Sequence, residues 1–209
     1  RELGQIDYAI NCYEKALAIK HGYPDAHNNL GNIFLELRQL DAAADHFEWA
    51  VAFKPDFAEA YNNLGVTLRE RNHLYEAIKN FEKAVSINPD YVQGHLNLGH
   101  TLQDIDQQDE AVKCYEKVLA INPDYSEAHL NLGLVHQELG QVDDAVKLFE
   151  KALALNSNYA EAYYNQGLVY RKIREYNESI KSFQYALKIK PDYLDAYFDL
   201  GQVFVTVGK

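Results

Sequence analysis

Residues 58–91 read AEAYNNLGVTLRERNHLYEAIKNFEKAVSINPDY, and the spacing within this stretch decides the fold. Tyr61, Leu64 and Leu68 fall on one face of a 3.6-residue-per-turn helix around the small Gly65. After a short turn, Ala77, Phe81 and Ala84 mark a second helix, which Pro89 ends. Gly65 and Ala77 let the two helices approach closely, while Phe81 fills the space beside them. The stretch is therefore predicted to be a helical hairpin.

The same pattern returns every 34 residues. Glycine recurs at Gly31, Gly65, Gly99, Gly133, Gly167 and Gly201, and asparagine at Asn29, Asn63, Asn97, Asn131 and Asn165, with Asp199 next in the series. A fixed period of this length marks an array of stacked hairpins, each burying its apolar face against its neighbours. Numbering each unit 1 to 34 with glycine at 8 gives a single array over 1–209. It has a partial unit at 1–23, mainly second helix, then complete units at 24–57, 58–91, 92–125, 126–159 and 160–193, and a partial first helix at 194–209. Asp56-Phe57-Ala58-Glu59, Asp124-Tyr125-Ser126-Glu127 and Asn158-Tyr159-Ala160-Glu161 match a capping box at the start of a first helix. Position 34 is aromatic throughout (Tyr23, Phe57, Tyr91, Tyr125, Tyr159, Tyr193), as expected for packing between consecutive units.

These residues carry a resemblance to the tetratricopeptide repeat. The pattern Tyr61-x2-Leu64-Gly65, then Ala77-x3-Phe81 and Pro89, recurs with small changes over essentially the whole chain. Departures are Ser157 in place of proline, Ser179 and Val118 in place of alanine, and Gln108 at a usually apolar turn position. The resemblance implies an all-α fold, a right-handed superhelical α-solenoid of antiparallel helix pairs whose concave groove is lined by the first helices.

On a helical wheel, positions 4, 7, 8 and 11 of a first helix form a buried arc, and positions 2, 5, 9, 12 and 13 lie opposite. That opposite arc is expected to face the groove, with the asparagine of position 6 at its edge. Position 5 drifts through Asn28, Asn62, Leu96, Leu130, Tyr164 and Phe198, and position 9 through Asn32, Val66, His100, Leu134, Leu168 and Gln202, whereas position 6 hardly changes. Asparagine is a mediocre helix former, at a cost of about 0.5 kcal/mol against alanine, so something offsets that penalty at five sites. A carboxamide matches both the C=O and the N–H of an extended backbone. Asn29, Asn63, Asn97, Asn131 and Asn165 are accordingly candidate peptide-binding residues, the alternative being bonds to the adjacent repeat that fix stacking. Asn28, Asn32, Asn62, Arg69, His100, Asp104, Tyr164 and Arg171 would supply selectivity around them. The acids at position 2 and the apolar Leu130, Leu134, Tyr164 and Leu168 suit an extended segment with basic and apolar residues.

A net charge of -11 disfavours nucleic acid phosphates and anionic membranes and favours a neutral or basic protein partner. Neither a long apolar run nor a leader is present, and Cys12 and Cys114 sit three periods apart, beyond disulfide reach in a stacked array. A cytoplasmic setting follows, and a chain opening at Arg1 partway through the pattern reads as a piece of a longer protein. No phosphate loop, nucleophile elbow or His-Glu-x-x-His motif supports catalysis, and no cofactor or metal is expected. His27, His95 and His129 fall at position 4 of the buried arc, and His95 and His100 are poorly spaced to share an ion. Positions 2, 5 and 6 also lack the basic residues with which some members of the resembled family clamp acidic chaperone tails.

Three functions remain open at this point. The first is a non-catalytic scaffold that binds extended peptide segments in an asparagine-lined groove. The second is the substrate-recruiting segment of a glycosyltransferase, because Asn-Leu-Gly at 29–31, 63–65, 97–99 and 131–133 is similar to the repeats of protein O-linked N-acetylglucosamine transferases. The third is self-association through the apolar side of the helix at Asp199–Val207, which has no second helix to cover it.

Overall fold

A computed structural model describes residues 2–208, and among them there are twelve α-helices and no strand. They divide into two compact units. Residues 1–107 hold α1 (Glu2–Ile19), α2 (Pro24–Glu36), α3 (Leu40–Phe53), α4 (Ala58–Glu70), α5 (Leu74–Ile87) and α6 (Val92–Asp104). Residues 108–209 hold α7 (Gln108–Ile121), α8 (Ser126–Glu138), α9 (Val142–Leu155), α10 (Ala160–Lys172), α11 (Tyr176–Ile189) and α12 (Leu194–Thr206). The fold is all-α, built from helix pairs.

Each pair closes around one aromatic ring. In the first unit α2 packs on α3 and α4 on α5, and in the second α8 packs on α9 and α10 on α11. Phe47, Phe81, Phe149 and Phe183 are fully buried, and each lies directly against a glycine of the preceding helix. A Cβ on Gly31 or Gly65 would come within 2.6 Å of the facing ring, and one on Gly133 or Gly167 within 2.7 Å. Position 8 is glycine because the phenyl ring occupies the space of a side chain.

The turn between paired helices depends on a left-handed residue. Arg38, Asn72, Asp106, Gly140 and Arg174, all at position 15, have φ between 59° and 75°. The next residue donates its N–H five residues back, Gln39 to Phe34 at 2.8 Å and Glu175 to Tyr170 at 2.9 Å, which satisfies a carbonyl left open at the helix end. Glycine is the low-strain choice here, yet only Gly140 and Gly208 supply it.

Three sequence expectations are corrected. The capping boxes do not form: Phe57, Tyr125 and Tyr159 are the N-cap residues of α4, α8 and α10, and none makes a side-chain cap bond. Asp124 and Asn158 instead donate their backbone N–H to Asn122 and Asn156 Oδ1, at 3.2 and 3.1 Å, in the preceding turn. Position 5 does not lie opposite the core, because Asn28, Asn62, Leu96 and Leu130 are buried. Where the contacts can be followed, the next first helix covers that face: α2 lies beside α4, and Leu130 shares a cluster with Ala162 and Val169 of α10. His95 is half-buried, whereas His27 and His129 are buried.

The position-34 aromatics are largely packed. Burial raises the phenol pKa of Tyr91, Tyr125 and Tyr193, and pushes Tyr159 up to about 12, with the position-2 acids Glu59, Glu127 and Glu161 reinforcing the effect. On α12, Leu194, Tyr197, Phe198 and Val205 are exposed, and Gly201 faces open space. Among the described residues no helix is long and apolar enough to cross a membrane.

Candidate peptide-binding face

The asparagine series lies on the first helix of each pair, and in the first unit its side chains reach the neighbouring helix. Asn29 donates from Nδ2 to the Tyr13 hydroxyl of α1 at 3.2 Å. Asn63 donates to Asn28 Oδ1 at 3.2 Å and to Asn32 Oδ1 at 3.0 Å, so both amide protons bind α2. Asn97 donates to Asn62 Oδ1 at 2.8 Å, which ties α6 to α4. The pairs Asn28–Asn63 and Asn62–Asn97 are both 35 residues apart, a period plus one, and that spacing was readable in the sequence. Asn62 and Asn28, expected to face a ligand, instead serve as buried acceptors within the stack.

Such an amide has a defined residual chemistry. At Asn63 the donors are committed, while Oδ1 receives only a long 3.4 Å contact from Asn62 Nδ2. Its lone pairs can accept from an incoming N–H. At Asn97, Oδ1 accepts from Gln93 Nε2 at 3.1 Å, a bond to an exposed side chain that a ligand can displace. Asn29, Asn63 and Asn97 are half-buried and so reachable from one face of the first unit.

In the second unit the series is more enclosed. Asn131 and Asn165 are 8% and 9% exposed, and Asn165 Nδ2 bonds the Glu161 carbonyl of its own helix at 2.9 Å. Asp199 ends the series in a closed knot. Its Oδ2 accepts from the Tyr164 hydroxyl at 2.8 Å, and its Oδ1 pairs with Arg171 at 2.5 Å, while Arg171 also reaches Gln202 Oε1 at 3.0 Å. Burial raises the Tyr164 phenol pKa, and the bond to Asp199 adds to the shift, so the group stays a neutral donor. Tyr164–Asp199 repeats the 35-residue spacing with new chemistry.

The remaining candidates divide by location. Arg69 pairs with Asp104 at 2.8 Å from one first helix to the next, with both side chains more than a third exposed. Asn32, His100, Tyr164 and Arg171 are half-buried. Asn32 thus joins Asn28 and Asn63, Arg69 joins Asp104, and Tyr164 joins Arg171 through Asp199, in three separate groups. Among the described residues no group of three or more His, Cys, Asp or Glu could hold a metal ion.

A family model described as TPR repeat matches residues 1–38, 31–69 and 104–140, more than half of the chain. Models described as tetratricopeptide repeat match residues 58–91, 80–113 and 124–192. The chain belongs to the tetratricopeptide repeat family. No curated protein matches it significantly. Among solved tetratricopeptide structures, YrrB, described as having an unusual peptide-binding site, is 22% identical with a TM-score of 0.76, covering 90% of this chain and 96% of that one. MamA is 25% identical with a TM-score of 0.73, covering 78% and 95%. TTC0263 of Thermus thermophilus is 24% identical with a TM-score of 0.65, covering 88% and 100%.

Proposed function

We propose that this tetratricopeptide chain is a non-catalytic scaffold that holds an extended segment of a partner protein along the face carrying Asn29, Asn63 and Asn97. The observation that carries this reading is the division of labour at Asn63. Its Nδ2 is fixed by Asn28 and Asn32, so its Oδ1 is held in one orientation without a strong bond of its own. Acceptors fixed in this way bind backbone N–H groups with little loss of side-chain entropy. The fold shared with YrrB, a protein described by its peptide-binding site, supports the reading. Selectivity falls to Arg69, His100 and Asp104 on the same unit, with Tyr164 and Arg171 shaping the second unit separately. A net charge of -11 favours partners with basic residues.

The glycosyltransferase reading rests on the asparagine recurring at one repeat position and on its Asn-Leu-Gly setting. Stacking bonds of Asn63 and Asn97 give the asparagine a reason to recur without it. The test is a panel of extended basic and neutral peptides against the wild type and an Asn29→Ala, Asn63→Ala, Asn97→Ala variant. Binding by the wild type that the folded variant loses supports the scaffold reading. Equal binding by both contradicts it.

A further inference from the structure

Two crevices at equivalent places in the second unit differ in charge. Between α8 and α9 the lining includes Pro123, Asp124, His129, Lys151 and Ala154. At the same repeat positions Ser157, Asn158, Tyr163, Tyr185 and Lys188 line the crevice between α10 and α11, a cavity of about 610 Å³ that Ile189 completes. The first crevice has the Asp124 carboxylate in its lining, and the second has none.

The difference comes from residues that no other complete repeat carries. Asn158 stands where the others have Asp56, Asp90, Asp124 and Asp192, Ser157 where they have proline, and Lys188 where they have Ala52, Ser86, Ala120 and Ala154. Gln184, beside Tyr185 on α11, likewise replaces a glutamate found at Glu48, Glu82, Glu116 and Glu150. Every one of these changes removes a negative charge, adds a positive one or adds a hydrogen-bond donor, in a chain whose net charge is -11. Ser157 brings a hydroxyl and a backbone N–H that proline lacks, and neither is bonded within the chain. Lys188 is exposed and has no ion-pair partner among the described residues. Tyr185 stacks on Tyr163 with centroids 5.2 Å apart and is still 51% exposed.

We propose that the α10–α11 crevice docks an acidic segment of a partner protein, with one carboxylate among Lys188, Ser157 and Asn158 and a neighbouring apolar or aromatic side chain on Tyr185. Charge complementarity selects the occupant: the ammonium of Lys188 attracts the carboxylate, and the hydroxyl and amide donors around it can bond its oxygens. The exposed ring of Tyr185 offers apolar area beside that charge. A single cation in a chain of net charge -11 is poorly matched to a run of nucleic acid phosphates, so the aromatic platform serves a protein side chain rather than a base. None of these residues belongs to the asparagine-bearing face of the first unit, so binding at one surface can fail while the other stands.

The test titrates the 15N-labelled chain with acetyl-Asp-Phe-amide and with acetyl-Asn-Phe-amide, which has the same shape without the charge, and follows both by NMR. The expected result is a shift of the Ser157 and Asn158 amides and binding about fivefold tighter for the carboxylate probe, the upper range for an exposed ion pair. High salt is expected to shrink that preference. Lys188→Ala, at an exposed position, installs the residue of the α8–α9 crevice and is expected to remove the preference, with an unchanged melt showing that the fold is intact. Asn158→Asp restores the carboxylate of the other repeats and is expected to weaken binding of the acidic probe. An Asn29→Ala, Asn63→Ala, Asn97→Ala variant is expected to bind both probes as the wild type does. Unshifted Ser157 and Asn158 resonances, equal affinity of the two probes, a preference that survives Lys188→Ala, or tighter binding of uridine monophosphate than of the acidic probe would overturn the proposal.

Discussion

Asn97 donates its side-chain amide to Asn62 across 2.8 Å, joining α6 to α4 through two polar groups on facing first helices. Asn62 is buried at 4% exposure, so its carbonyl has little water to turn to if the bond is lost. Repeat stacking in the first unit therefore includes a polar register alongside apolar burial.

Replacing Asn62 with alanine leaves Asn97 without its acceptor and is expected to destabilise the chain by about 1–2 kcal/mol. Adding Asn97→Ala is expected to cost less than the sum of the two changes, because the second removes a group already orphaned. Urea unfolding of both single variants and the double variant measures the coupling. Strict additivity would show that the bond contributes nothing.

Gly65→Ala places a Cβ 2.6 Å from Phe81 Cε1. The ring is fully buried and cannot retreat, so a loss of about 1–3 kcal/mol is expected. Gly201→Ala, facing open space at the same repeat position, is expected to be neutral or slightly stabilising through helix propensity. Thermal melts of the two variants make the comparison.

Arg174 holds φ at 66°, in the region that glycine enters without steric strain. Arg174→Gly is expected to stabilise by up to about 1 kcal/mol, the relief of left-handed strain outweighing the added freedom of the unfolded chain. Gly140 at the equivalent turn is the internal precedent. A lower melting temperature for the variant would contradict this reading of the turn.

The His27–His46 pair gives the first unit a pH dependence. Burial lowers both pKa values, and His27 lowers that of His46 further, so the folded chain binds fewer protons here than the unfolded chain. Stability is expected to be fully present above the ordinary histidine pKa of about 6.5 and to fall as the pH drops below it. Melting temperatures measured from neutral to mildly acid pH check the trend. A His27→Leu, His46→Leu variant is expected to show a flatter profile.

Much of the fold was legible because glycine and phenylalanine meet at fixed spacing: Gly65 and Phe81 announce a contact that the folded chain makes at van der Waals limits. The site was less legible. A helical wheel treats each helix as having one buried arc, whereas α4 has neighbours both within its own pair and in the adjacent first helices, so Asn62 is buried on a side assigned to the ligand groove. The capping boxes misled for a local reason, since Tyr125 rather than Asp124 occupies the N-cap and the carboxylate sits one residue too early. The 35-residue pairs Asn28–Asn63, Asn62–Asn97 and Tyr164–Asp199 were present in the sequence, but each joins position 5 of one repeat to position 6 of the next, so comparison of like positions at the 34-residue period passes over them.

The central claim is that fixed side-chain carbonyls, Asn63 Oδ1 above all, accept from the backbone of an extended partner. Its most direct test leaves the protein unchanged: a peptide that binds the wild type is compared with versions N-methylated at one residue at a time. Methylation at the residues facing Asn29, Asn63 and Asn97 is expected to weaken binding by about fivefold each, with intervening residues unaffected. Affinity indifferent to N-methylation at every position would contradict the claim.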